Sequence, residues 1–292
     1  MRLLFAISNL YAGAPRALMA GCALTLAACG MDSTEPSAGL VHYRVVNALA
    51  VTRPGASTLV GMDYLIDSSA AAPSVLGMAP HSISTGDSAN GYRVMPRGVH
   101  SFVARRTGDA RRDNSVFTTS NNQAYLPRLA MIPDTYYTLI VGGIVPDTGS
   151  VVRNTVPFQY IIDDPGPGPV LETTGVRQAR FRVYHVAPFA DSAGGTNTAI
   201  GVIVTPGATP PANPTSYRVI GGPSYRTGSS YFNLTPGPYV ITFTAFRTNV
   251  VVAQQTVNFV PGEVRSFFVF STAGGPPGTS NHTVVSVLDH QY

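Results

Sequence analysis

Apolar and polar residues alternate along much of this chain with the period of short β-strands. In the segment VHYRV at residues 41–45, the apolar side chains Val41, Tyr43 and Val45 alternate with polar ones, as in a strand with one buried face. Apolar runs at residues 139–141 and 267–270 have the length of central strands. No window beyond the first thirty residues keeps helical apolar spacing over three turns. The pattern therefore predicts an all-β chain.

Five segments recur in the same order in the two halves of the chain. The recurrence aligns Arg44 with Arg182 and Val45 with Val183, at a spacing of 138 residues. The order is kept while the spacing drifts, which indicates one duplicated unit with loops of different length. The matched pairs are Val41–Ala48 with Ala179–Val186, Met62–Ile66 with Ile200–Val204, Tyr92–Gly98 with Tyr231–Gly237, Thr138–Val141 with Ser266–Val269, and Phe158–Asp163 with Val284–Asp289.

A proline- and glycine-rich segment, DDPGPGP at residues 163–169, separates the two copies. Proline lacks the N–H that a strand ladder needs, and glycine loses the most entropy on ordering, so this segment is predicted to be a linker. Each copy is long enough for one sandwich of about seven strands. We expect two tandem immunoglobulin-like β-sandwich domains, at residues 40–165 and 176–292, joined by a linker at 166–175.

The first thirty residues have the layout of an export signal. Arg2 and Arg16 flank a weakly polar leader, and the apolar stretch ALMAGCALTLAA at residues 17–28 is too short to span a bilayer stably. The stretch ends in Leu-Ala-Ala-Cys29, followed by Gly30, which resembles the lipobox of bacterial lipoproteins. An ordinary secretory signal, an uncleaved anchor, or a Cys22–Cys29 disulfide are the alternatives.

The lipobox resemblance implies that residues 1–28 form a signal peptide and that Cys29 is the first mature residue. Its thiol would carry a diacylglycerol and its amino group a further chain, which together give stable membrane anchoring. Residues 29–39 would be a lipidated tether, and the domains would fold without disulfides. Gly30, rather than Asp, after the cysteine implies delivery to the outer membrane. The expected location is the bacterial cell envelope, with the membrane as a partner through the lipid on Cys29.

The charge of the chain excludes several function classes. All 19 basic residues are arginine, so Schiff-base enzymes and phosphate-loop enzymes, which need lysine, are excluded. Removing Arg2 and Arg16 leaves 17 basic against 15 acidic residues, a net charge of +2. So small a net positive charge does not indicate a nucleic-acid-binding protein. With 12% charged and 44% hydrophobic residues, the chain is not of the highly charged, disordered class.

Motifs for catalysis or metal binding are missing from the sequence. It contains no H-E-x-x-H, C-x-x-C, G-x-S-x-G or S-x-x-K pattern, and its six histidines are scattered. We therefore predict no catalytic residues, no metal, no cofactor and no enzymatic activity. An envelope hydrolase built from distant residues that converge in the fold is an alternative.

Two acidic pairs suggest cation or sugar binding. Asp63 and Asp67 lie four residues apart, hence on one strand face, but the second copy lacks both acids and keeps the strand, which favours the polar outer face of a strand. Asp163 and Asp164 suggest a metal site, and a solvated strand end before the linker is the alternative.

Arginines surround a Gly-Asp turn in the segment RRTGDARR at residues 105–112. Arg105, Arg106, Arg111 and Arg112 would bind anionic polysaccharide or lipid headgroups through bidentate contacts. The alternative is a solvated hairpin tip that keeps a strand edge from pairing. The chain has 27 aromatic rings but no Trp, the residue on which sugars often stack, and most of these rings fall in predicted strands as core residues.

Further segments of the first copy resemble a known family. They are RVVNA at 44–48, Asp63-Tyr-Leu-Ile-Asp67, the Gly91–Gly98 hairpin and the strand Tyr137–Gly142. Together these segments resemble the bacterial domain-of-unknown-function family 4397, which occurs in exported and lipid-anchored proteins; the second copy departs from it at Gly201 and Thr205. The resemblance implies fold and location but no activity. We expect a noncatalytic structural or binding role in the envelope, with a surface adhesin or glycan-binding module as the alternative and anionic polysaccharide or envelope proteins as partners.

Overall fold

The computed structural model describes residues 39–51, 61–67, 74–84, 86, 91–107, 125–145, 158–163, 175–187, 199–207, 219–225, 227–245, 250–271 and 282–291. All regular structure in these ranges is β-strand, which confirms the all-β prediction. No helix suited to crossing a membrane occurs in them. The strands are β1 (Leu40–Val51), β2 (Met62–Ile66), β3 (Val75–Met78), β4 (Ser82–Ser84), β5 (Arg93–Pro96), β6 (Gly98–Arg106), β7 (Tyr125–Met131), β8 (Tyr136–Val145), β9 (Phe158–Asp163), β10 (Ala179–Val186), β11 (Ile200–Pro206), β12 (Val219–Gly221), β13 (Phe232–Leu234), β14 (Gly237–Ala245), β15 (Val251–Phe259), β16 (Glu263–Ser271) and β17 (His282–Gln291).

The first nine strands form one β-sandwich. One sheet has the order β4-β1-β8-β9, with β5 also paired to β1, and the facing sheet has the order β3-β2-β6-β7. A single apolar cluster, which includes Tyr43, Tyr64, Phe102 and Leu139, draws residues from both sheets. The two sheets therefore enclose one core, as in a sandwich.

The remaining strands repeat this arrangement. One sheet has the order β13-β10-β16-β17 and the other β12-β11-β14-β15, and residues such as Phe181, Phe243, Phe259 and Phe267 fill the core between them. Strand for strand, β10 takes the place of β1 and β16 the place of β8. The tandem sandwich architecture is thus present. The boundaries at 40–165 and 176–292 and the linker at 166–175 stay a prediction, because residues 164–174 lie outside the described ranges.

Parallel pairing at the centre of each sandwich follows the same register. β1 runs parallel to β8 with Arg44 opposite Thr138, and β10 runs parallel to β16 with Arg182 opposite Ser266. Side chains on one face of each pair enter the sandwich core, and those on the other face point away from it. The alternation at residues 41–45 predicted one buried face, whereas Arg44 on the second face of β1 is buried as well.

A third apolar cluster joins the two sandwiches. It combines Val46, Ala48 and Ile140 of the first sandwich with Tyr184, Val186, Phe268 and Phe270 of the second. Residues Gly39–Tyr292 consequently form one compact unit. Because the second sandwich covers the outer face of β1 and β8, these strands are buried on both faces.

Candidate functional site

A network of buried polar side chains lies at the junction of the sandwiches. Its centre is Arg44 on β1, whose side chain is fully buried, and Asp289 on β17, which is 1% exposed. Nη1 of Arg44 donates to Oδ1 of Asp289 at 2.5 Å. The ion pair therefore connects the first strand of one sandwich with the last strand of the other.

Hydroxyl groups bind the other guanidinium nitrogens of Arg44 and the second carboxylate oxygen of Asp289. Nε of Arg44 donates to the Thr138 hydroxyl at 2.8 Å, and Nη2 donates to the Ser266 hydroxyl at 3.1 Å. Ser266 also accepts from Nε of Arg182 at 3.0 Å and donates to Oδ2 of Asp289 at 2.5 Å. The Ser266 hydroxyl thus uses both of its acceptor positions and its donor.

Arg182, the counterpart of Arg44 in the second copy, reaches back into the first sandwich. Its Nη2 donates to the Tyr92 hydroxyl at 3.2 Å and lies 3.7 Å from Oδ2 of Asp289. Both guanidinium groups also lie over aromatic rings: that of Arg44 is 4.6 Å from the Tyr92 centroid, and that of Arg182 is 4.9 Å from the Tyr184 centroid. Stacking on ring faces stabilises cations removed from water.

The charged groups of this network are closed off from solvent and bonded to one another. Each oxygen of Asp289 accepts a hydrogen bond, and no atom of the carboxylate or of Arg44 is open to a solvent-borne substrate. Buried ion pairs are weak sources of stability but strongly destabilise a fold when one partner is removed. The network therefore links the two sandwiches through buried, hydrogen-bonded charges.

Sequence reasoning did not identify this site, although a signal for it was available. The matched segments already aligned Arg44 with Arg182 and Thr138 with Ser266. Both copies have an arginine at the same strand position, opposite a hydroxyl residue. Such a repeated charged residue within a strand indicates a buried interface shared by the two copies.

The residues predicted as sites from the sequence lie elsewhere. Cys29, Arg111 and Arg112 lie outside the described residues, as does Asp164. Arg105 and Arg106 belong to strand β6, where their backbones pair with Asp63 and Met62 respectively. The lipidation of Cys29 and anion binding by the four arginines stay predictions.

Asp63 and Asp67 do not form the paired site that their spacing suggested. Asp63 is 5% exposed on β2, and its Oδ1 accepts from the Gly77 N–H at 2.9 Å, inside a bulge of β3. Asp67 follows the end of β2 with a left-handed φ of 53°, so the alternation of strand faces does not extend to it. The two carboxylates therefore have separate local partners.

The partners of Asp67 are His100 and Ser101. Its Oδ1 accepts from the Ser101 N–H at 2.9 Å, and its Oδ2 lies 2.7 Å from Nδ1 of His100. Partial burial acts to raise the pKa of Asp67, but the Ser101 N–H and the His100 ring outweigh it and hold that pKa below its usual value. This cluster closes the turn after β2.

Two other histidines lie in packed surroundings. Burial lowers the pKa of His42, against an opposing effect of Asp134, and the His42 ring stacks on Tyr136 at 4.4 Å. Burial also lowers the pKa of His81, whose ring meets the edge of Phe270 at 5.9 Å. Within the described residues, no three His, Cys, Asp or Glu side chains lie close enough together to hold a metal ion.

Comparison with known proteins gives only distant similarities. No protein-family model and no curated protein matches the chain. A solved structure of a candidate cell adhesion protein from Bacteroides ovatus matches 84% of this chain and 95% of its own, at 12% identity and a TM-score of 0.23. Another from Bacteroides uniformis matches 87% of this chain and 98% of its own, at 12% identity and a TM-score of 0.20. At such scores the similarity carries no argument about function.

Proposed function

We propose that this protein is a lipid-anchored, noncatalytic component of the bacterial cell envelope that acts as a rigid two-sandwich module. The observation that carries the proposal is that buried charged side chains link the two sandwiches. Asp289 of the second sandwich binds Arg44 of the first, and Arg182 of the second sandwich donates to the Tyr92 hydroxyl of the first. A module built in this way resists bending between its halves, which suits a structural or presenting role.

The position of the anchor supports the same role. Strand β1 begins at Leu40, eleven residues after the predicted lipid attachment at Cys29. A fully extended chain gains at most about 3.5 Å per residue, so the first sandwich would stay within about 40 Å of the membrane surface. The module would therefore act close to the membrane that holds it.

Mass spectrometry of the full chain, extracted from membranes of a bacterial host, tests the anchor. We expect a mature amino terminus at Cys29 carrying diacylglycerol and an acyl chain, and a Cys29→Ser variant that keeps residues 1–28. An unmodified Cys29, or a mature terminus at another residue, would refute the lipid anchor.

Binding of an anionic surface polymer is the finer part of the proposal. Its basis is the cluster of Arg105, Arg106, Arg111 and Arg112 at the end of β6 and just beyond it. Retention of the chain from residue 30 onward on immobilised heparin measures this binding. We expect retention to fall as salt rises, because charges in water are screened within about 8 to 10 Å at physiological ionic strength.

A charge-matched pair of variants separates a specific site from net charge. Arg111→Ser with Arg112→Ser should lose most of the retention. Arg97→Ser with Arg177→Ser, which removes two exposed arginines elsewhere, should keep it. Equal losses in both double variants would show that the polymer responds to net charge alone.

A further inference from the structure

Strand β15 presents a long sheet edge, with one bulged residue, Val252, near its start and a side-chain hydrogen bond from Gln255 to Ser286 of β17. Within the described part of the chain β15 pairs with β14 on one side and with no strand on the other. It is nine residues long, and its sequence VVAQQTVNF contains no charged residue and no proline. Edges of this kind are open to pairing with another strand, and most soluble proteins block them.

The corresponding edge in the first sandwich is blocked. Strand β7 occupies there the place that β15 holds in the second sandwich, and it contains Pro127, which has no N–H to donate. The exposed Arg128 follows with a left-handed φ of 62°, and together these two residues bulge opposite Ser101. Proline, charge and a bulge are the usual means of protecting an edge. The second copy has a bulge of its own at Val252 but lacks the proline and the charge that the first copy places on this edge.

Other edges of the second sandwich are short or lie partly against the first sandwich. β12 has only three residues. On β17, the backbone at Leu288 is approached so closely by Gly91 of the first sandwich that a Cβ there would lie 2.3 Å from the Leu288 carbonyl oxygen. β15 is therefore a long edge of the second sandwich, away from this contact with the first, at which a strand can be added.

The solvent-facing side chains of β15 match an identical strand. Gln254, Thr256 and Asn258 are exposed, and amide and hydroxyl groups both donate and accept hydrogen bonds. Antiparallel addition of a second β15 brings such groups opposite one another without placing like charges together. A charged partner strand would meet no opposite charge on this edge. We propose that β15 is a self-association site at which a second copy of this chain adds its own β15 and joins the two sheets.

Sedimentation velocity on the chain from residue 30 onward tests this proposal. We expect a monomer–dimer equilibrium over a roughly hundredfold concentration range, as mass action requires. Hydrogen exchange should show that protection of the β15 amides increases with concentration. Thr256→Lys places a like charge on each edge at an exposed position, and we expect it to weaken dimerisation at least about tenfold.

The matched control is Thr235→Lys, an exposed position outside β15 with the same change of charge. It should dimerise like the parent chain, and both variants should unfold at the parent temperature. High salt should restore much of the dimer in Thr256→Lys, because about 1 M salt screens charges beyond about 3 Å. A chain that stays monomeric at all concentrations would overturn the proposal, even if it bound an added extended peptide. So would dimerisation unchanged by Thr256→Lys.

Discussion

Replacing Arg44 by methionine removes the guanidinium and keeps an unbranched apolar side chain among the rings of Tyr92, Tyr184 and Phe268. The change leaves Asp289 buried without its closest cation. Removing one partner of a buried ion pair typically costs about 3–5 kcal/mol. Asp289 keeps the Ser266 hydroxyl and has Arg182 at 3.7 Å, so we expect a loss near the lower end, about 3 kcal/mol. That is a large part of the about 5–15 kcal/mol by which proteins are stable.

Urea unfolding followed by far-ultraviolet circular dichroism and tyrosine fluorescence measures this loss, since the chain has 14 Tyr and no Trp. Arg180→Met is the matched control. Arg180 lies on β10 and is partly exposed over the Tyr231 ring, so its replacement should cost only about 0.5–1 kcal/mol.

A double-mutant cycle isolates the pair itself. Asp289→Leu combined with Arg44→Met should cost less than the sum of the single changes, by about 0.5–3 kcal/mol, because the groups are in contact. If Arg44→Met costs no more than Arg180→Met, or if the changes at Arg44 and Asp289 are additive, the buried ion pair does not stabilise the junction.

Three further predictions concern single residues. Burial lowers the pKa of His81, so as the pH falls below about 6.5 the unfolded chain takes up a proton at this residue before the folded chain does. The free energy of unfolding should therefore decrease from pH 7 toward pH 5, and it should decrease less in His81→Asn. Urea titrations at several pH values measure both changes. Gly91→Ala should cost at least about 2 kcal/mol in the same assay, because φ is 63° and the Leu288 carbonyl leaves no room for a Cβ. Tyr64→Phe should cost about 1 kcal/mol in thermal unfolding, since its buried hydroxyl donates to the Val46 carbonyl at 3.0 Å.

Much of the fold could be predicted from local sequence patterns. Strict alternation at residues 41–45 predicted a strand, and the recurrence of Arg44 at Arg182 predicted a repeated unit. Strand formation depends on near neighbours and on the side-chain period of two, both of which are visible in one sequence. The repeated order of strands in the sheets agrees with that recurrence.

The environment of each strand could not be predicted in the same way. Alternation shows only that Arg44 lies on a different face of the strand from Val45, and it does not show what that face contacts. Whether the second face meets water depends on the other sandwich, hundreds of residues away in sequence. The same holds for Asp289, whose role is set by a strand of the other copy.

Backbone conformation explains the misreading of the acidic pair. The spacing of Asp63 and Asp67 implies one strand face only if the strand continues, and it stops at Ile66. Aspartate tolerates the left-handed region better than most residues, so Asp67 suits the turn that follows. Its role follows from that turn and not from the strand.

The ion pair between Arg44 and Asp289 spans 245 residues, almost from the first strand to the last. At about 5–20 residues per second, a ribosome adds that length in about 12–50 s. During this interval β1 has been synthesised and β17 has not. The charge of Arg44 keeps its face of β1 compatible with water until then. Once β17 arrives, the same charge becomes bound inside the protein. A chain truncated before its last strand would retain the arginine without its carboxylate, so incomplete copies would be less stable and more readily degraded by proteases.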